Sequence, residues 1–86
     1  MNAEPYVQRI LDDEGLIGDL SGDAAEKLVA WLVKSAESLA ARAGTDAEAR
    51  SAVAALCRRG RELAAEAAGQ PDPAAALAGL LAREPQ

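Results

Sequence analysis

The connection between two long helix-forming stretches limits this chain more than any other feature. Gly44 ends the first stretch and Thr45 opens the next. A connection that short makes two helices antiparallel neighbours. The stretches are expected to run over about 21–43 and 45–69. Within them, VAWLVKSAESLAARA (29–43) lies over VAALCRRGRELAAEA (53–67) at an offset of 24, with seven of fifteen positions identical. Alanine bias inflates that count, so the shared pattern matters more than the identity.

The pattern is a heptad. Val29, Leu32, Ala36, Leu39 and Ala43 alternate steps of three and four, and Val53, Leu56, Gly60, Leu63 and Ala67 do the same. Val33, Ala40, Cys57 and Ala64 widen each stripe to a bundle face. Small residues at Ala36, Ala43, Gly60 and Ala67 let the backbones approach. Glycine inside a helix costs about 1 kcal/mol against alanine, so Gly60 is expected to mark a close helix crossing, with Ala36 opposite.

Two short helices flank the hairpin. EPYVQRILDDE (4–14) has Pro5 in its first turn, and Tyr6, Val7, Ile10 and Leu11 at helical spacing on one face. Gly15 is expected to stop it, with Leu16 as the accompanying hydrophobic contact. Ser21 or Asp23 is expected to cap the second helix. Thr45 and Glu48 have capping-box spacing for the third. Gly69 ends that helix, and QPDP breaks the chain before PAAALAGLLARE, where Asp72 caps and Pro73 fills the first turn. The expected fold is all-α, a single small helical domain over 1–86: an antiparallel hairpin with short N- and C-terminal helices, closed as a small bundle.

Half the residues are hydrophobic, but alanine makes up most of that half, and there are one Trp, one Tyr and no Phe. Alanine buries little area at about 25 cal/mol per Å². Few large side chains remain to cover two amphipathic faces, so a homodimer is expected. Leu28 and Trp31, at the edge of the stripe, are the candidate interaction surface.

The segment DDEGLIGDLSGDAAE (12–26) is dense in carboxylates and glycines. A calcium loop of the EF-hand type needs oxygen ligands at positions 1, 3 and 5, glycine at 6 and Glu at 12. Started at Asp13, Gly18 stands correctly at position 6, but Gly15 and Ile17 occupy 3 and 5, and Ala24 occupies 12. Started at Asp12, Ile17 occupies 6. No metal is therefore expected, and Leu16, Ile17 and Leu20 read as anchors that pin a joint to the core. Size, acidity and four helices also suit an acyl carrier protein, whose attachment motif is Asp-Ser followed by a hydrophobic residue. Here the order is Asp19-Leu20-Ser21-Gly22, so the motif is absent and Ser21 reads as a helix cap.

Arg58, Arg59 and Arg61 form the basic cluster and the alternative nucleic-acid face. Glu62 is spaced to pair with Arg58 and Arg59, and a net charge of −5 opposes a polyanion as main partner. Cys57 is the only cysteine, so no intramolecular disulfide can form and a reducing compartment is expected. The start of the chain lacks a basic segment followed by an apolar one, and no apolar run approaches a membrane span. A cytoplasmic protein is expected, with no membrane association. Histidine is absent, which weakens acid–base catalysis, triads and transition-metal sites together. The expected function is a non-enzymatic, self-associating protein–protein interaction or regulatory module, with no cofactor. The alternatives are a nucleic-acid-binding module on the arginine face, then a carrier or enzyme built on the 12–26 joint.

Overall fold

The computed structural model describes residues 3–13 and 15–84. It is a small all-α bundle of four helices, α1 (Glu4–Asp12), α2 (Gly22–Arg42), α3 (Asp46–Ala68) and α4 (Pro73–Arg83). The antiparallel pair α2 and α3 is the body of the molecule. α1 and α4 each pack on both long helices but do not touch one another among the described residues, so they occupy opposite flanks of the hairpin. No described helix is long and apolar enough to cross a membrane.

Local chemistry sets the helix ends. Thr45 Oγ1 accepts the Glu48 N–H at 3.1 Å, and the Glu48 carboxylate reaches back to the Gly44 N–H at 2.8 Å. This is the expected capping box moved one residue outward, since Glu48 takes the donor before Thr45. Asp72 caps α4 through the Ala75 N–H at 3.2 Å. Two expected ends differ. Ser21 stands at the extended N-cap position of α2, yet its hydroxyl makes no capping bond. Gly22, with φ +58°, turns the chain into the helix there. At the end of α1, Gly15 does not act as a left-handed cap. Asp13 leaves the helix in an extended conformation, its carboxylate accepts the Gly15 N–H at 3.1 Å, and Leu16 N–H closes onto Asp13 O. The expected last residue of that helix, Glu14, lies outside the described residues.

Leu16 and Leu20 are buried and Ile17 is half-buried against the core, so the acidic joint is pinned as its apolar residues suggest. Of the expected inward face of α1, Tyr6 and Ile10 are buried and Val7 is half-buried, while Leu11 is 55% exposed. A nine-residue helix resting on the edge of a hairpin buries only a narrow stripe, and residues four apart stay on it.

The α3 stripe follows the heptad reading. Val53, Gly60, Leu63, Ala64 and Ala67 are buried and Leu56 is half-buried. On α2 the stripe is rotated. Ala24, Leu28, Leu32, Ala36 and Ala40 are buried in an unbroken row of fours, while Val29, Leu39 and Ala43 are half-buried. α1, α3 and α4 all pack on α2, and α1 packs far more on α2 than on α3. Its most buried line points to the middle of three partners rather than to one. A four-residue row is also a natural ridge on a helix surface.

This rotation corrects the expected position of Leu28, which is 0% exposed and lies at the centre of the core. Among the described residues, Leu11 is the one large hydrophobic residue that is exposed. Leu16, Leu20, Tyr6, Ile10 and Leu77 join the long helices in the buried core.

Gly60 is buried against α2, with Leu32 as its nearest side chain rather than Ala36. The Leu32–Gly60 pair is more nearly symmetric about the turn at residues 43–45 than the Ala36–Gly60 pair, and antiparallel pairing brings symmetric residues together. α3 runs without a break through Gly60.

Candidate interaction surfaces

Because α1 and α4 sit on opposite flanks, concave surfaces form beside the hairpin, and two of them bring candidate residues together. The first lies between α1 and α3 and encloses about 890 Å³. Ile10 and Val53 form its buried floor, with Ala54 and the half-buried Cys57 beside them. Helix periodicity builds one wall. Arg50, Ala54, Arg58 and Arg61 follow steps of four, four and three along α3 and so share a face. Arg9, in the last turn of α1, stands on the other wall.

Three contacts join the walls or stiffen them. Tyr6 Oη donates to Asp46 Oδ1, tying α1 to the first residue of α3. Asp46 also pairs with Arg50 at 2.8 Å. Arg61 pairs with Asp13, immediately after α1. The bond to the Asp46 carboxylate, together with burial, holds the Tyr6 hydroxyl above the ordinary tyrosine range. Burial likewise pushes the Cys57 thiol up, against the opposing charge of Arg61. A thiol that keeps its proton is a poor nucleophile, so Cys57 is best understood as part of the apolar floor.

The second surface is a depression of about 510 Å³ beside Trp31, bordered by Ser35, Leu39 and Leu56. Trp31 is half-buried. Its indole Nε1 is shielded from solvent without a hydrogen-bond acceptor among the described residues. Arg59 and Glu84 close one side. Arg59 meets Glu84 at 2.5 Å and Glu62 at 3.0 Å, and those hydrogen bonds, Glu84 first, raise the guanidinium pKa further. α1 lies on the opposite flank from Trp31, and Glu84, just past α4, reaches this depression.

No protein-family model matches the chain, and neither a curated protein nor a solved structure matches it. The surfaces themselves must carry the functional reading.

The arginine cluster is divided between them. Arg58 and Arg61 line the α1/α3 groove, and Arg59 lines the Trp31 depression. Each residue advances about 100° around a helix. Arg58 and Arg61 are therefore about 60° apart, and Arg59 is well away from both. Glu62 pairs with Arg59 but not with Arg58. Sequence adjacency grouped three arginines that the helix separates, and it missed Arg9 and Arg50. The signal for Arg50 was present in its spacing to Arg58 and Arg61. Nothing local marks Arg9, which joins them only because α1 packs on α3. Leu28 and Trp31 are likewise separated, one in the core and one at the surface. In the 12–26 joint, Asp13 is engaged by Arg61 and the Gly15 N–H. No group of three or more His, Cys, Asp or Glu placed to hold a metal occurs among the described residues.

Proposed function

We propose that this chain is a non-catalytic helical interaction module that receives a partner protein in the α1/α3 groove. One observation carries the reading: a concave surface with the exposed Ala54 and the half-buried Cys57 over a buried apolar floor lies between two helices that are already cross-tied by Tyr6–Asp46 and Arg61–Asp13. A preformed groove loses little freedom on binding, which favours affinity. Grooves of this kind receive partner segments through a few apolar anchors and a polar rim. A single cysteine, unable to form an intramolecular disulfide, suits a reducing, cytoplasmic setting.

Ala54 is exposed at the groove, so Ala54→Trp fills the groove from a position that carries no core packing. Quantitative affinity capture from the native cell compares it with wild type. A protein captured by wild type and lost with Ala54→Trp supports the reading. Identical captures by both overturn it.

Self-association is a second reading, favoured by the half-buried Trp31 beside Leu39 and Leu56. Trp is enriched among interface anchors, and a shared patch meeting itself is the commonest dimer geometry. Sedimentation equilibrium of wild type and Trp31→Ala tests it. A dimer that the substitution weakens supports a homodimer at this surface, and a wild-type monomer at high micromolar concentration ends it.

A further inference from the structure

We infer that the α1/α3 groove takes an acidic peptide segment, with carboxylates on Arg9 and Arg58 and an aliphatic side chain between them against Ala54 and Cys57. The inference rests on the proposed docking role of the groove and adds the chemistry of what docks. The charge balance is its starting point. The chain carries −5 overall, yet four of its seven arginines line this groove against two aspartates, a local balance of +2. Concentrating cations in one concave surface of an acidic protein focuses a positive potential there.

The four arginines are not equivalent. Arg50 and Arg61 are engaged by Asp46 and Asp13 and belong to the walls. Arg9 and Arg58 are exposed and form no ion pair among the described residues. They stand on different helices, one on each side of the floor. A guanidinium presents a planar fork that matches a carboxylate in two parallel hydrogen bonds. The groove thus offers two anion sites on different helices, with the apolar surface of Ala54 and Cys57 beside them.

That spacing selects against a nucleic acid. Duplex DNA carries about one negative charge per 1.7 Å of axis, and such a string would meet Asp13 and Asp46 as well as the arginines. Base stacking needs an exposed aromatic platform, whereas Tyr6 is buried and donates to Asp46. A ligand with few negative charges, set apart by aliphatic side chains, fits both the cations and the floor. An acidic peptide has that chemistry, and recognition of acidic motifs by arginine clusters is a recurring mode.

The test is a peptide-display selection against the full chain, run in parallel on wild type and on the Arg9→Gln, Arg58→Gln double variant. Both side chains are exposed and form no ion pair, so thermal melts and Trp31 fluorescence should show an intact fold. Cys57, the only thiol, reports occupancy through its rate of alkylation. The expected result is enrichment of net-negative peptides with an aliphatic residue between acidic ones. Binding should slow Cys57 alkylation, weaken roughly tenfold or more in the double variant, and fall with added salt. Enrichment of neutral or basic peptides that still protect Cys57 overturns the acidic chemistry and leaves the docking role standing. No peptide that protects Cys57 removes both. An oligonucleotide that protects Cys57 better than the enriched peptides overturns the inference in favour of a polyanion.

Discussion

Gly60 lies face to face with Leu32: a β-carbon on Gly60 would stand 2.8 Å from Leu32 Cδ2 and 3.2 Å from its Cδ1. Leu32 is 0% exposed, so it has little room to retreat. Gly60→Leu is expected to destabilise by about 1–3 kcal/mol or more through overpacking. In Gly60→Ala, a propensity gain of about 1 kcal/mol is set against this contact, and the net change is expected to be small. Removing the obstacle should expose the gain, making Gly60→Ala stabilising in a Leu32→Ala background. Urea melts of the four-member cycle measure the coupling. A Gly60→Leu variant as stable as wild type would place Gly60 at the surface.

Leu28 and Trp31 are three residues apart but belong to different parts of the molecule. Leu28→Ala empties a core position and is expected to cost about 2–5 kcal/mol. Trp31→Ala is expected to cost less than a fully buried tryptophan would, because the ring is only half-buried. Thermal and urea denaturation rank the two, and a Leu28→Ala protein with unchanged stability would contradict the rotated α2 stripe.

The three helix starts should respond unequally to loss of their cap side chains. Thr45→Ala and Asp72→Ala each remove an observed bond to a helix N–H. Each is expected to cost about 0.5–2 kcal/mol. Ser21 makes no such bond, so Ser21→Ala is expected to be nearly neutral. Equal losses at Ser21 and Thr45 would show that the Ser21 hydroxyl caps α2 after all.

Tyr6 links alkaline pH to the docking of α1. Its folded-state pKa is raised, first by the bond to Asp46 and then by burial. The proton is thus held more tightly in the folded chain. The stabilisation is fully present below the ordinary tyrosine pKa and is lost as pH rises through the folded value. Wild type should therefore lose stability at alkaline pH more steeply than Tyr6→Phe. Ultraviolet titration of the single tyrosine reads the ionisation directly, and amide exchange along α1 reads the undocking. A normal tyrosine titration with unchanged exchange would break the link.

The acidic joint is expected to leave calcium and zinc unbound. Asp13 is committed to Arg61 and to Gly15, while Leu16 and Leu20 face the core. Calorimetric titration with either ion should show no stoichiometric binding in the micromolar range, and such binding would reopen the joint as a site.

Much of the architecture was legible because it depends on local physics. Gly44 and Thr45 allow only a tight reversal, periodic aliphatics mark four helices, and Thr45, Glu48 and Asp72 cap the last two of them through contacts within four residues. The α3 stripe followed its heptad because one long partner, α2, dominates its packing. Ser21 and Gly15 misled for an equally local reason: a serine or glycine in the right place permits a cap without requiring one, and Gly22 and Asp13 supplied the turn instead.

By itself, the sequence determined the helices, the hairpin and the burial of an alanine-rich interface, because propensity, turn length and period act over a few residues. Tertiary structure alone decided which side of α2 is the core, whether Leu28 or Trp31 meets solvent, and which arginines become neighbours. Those outcomes depend on where α1 and α4 settle. Three helices packing on α2 rotate its buried line away from a two-helix seam. α1 brings Arg9 opposite Arg58, and the end of α4 carries Glu84 to Arg59, across separations that no local pattern encodes.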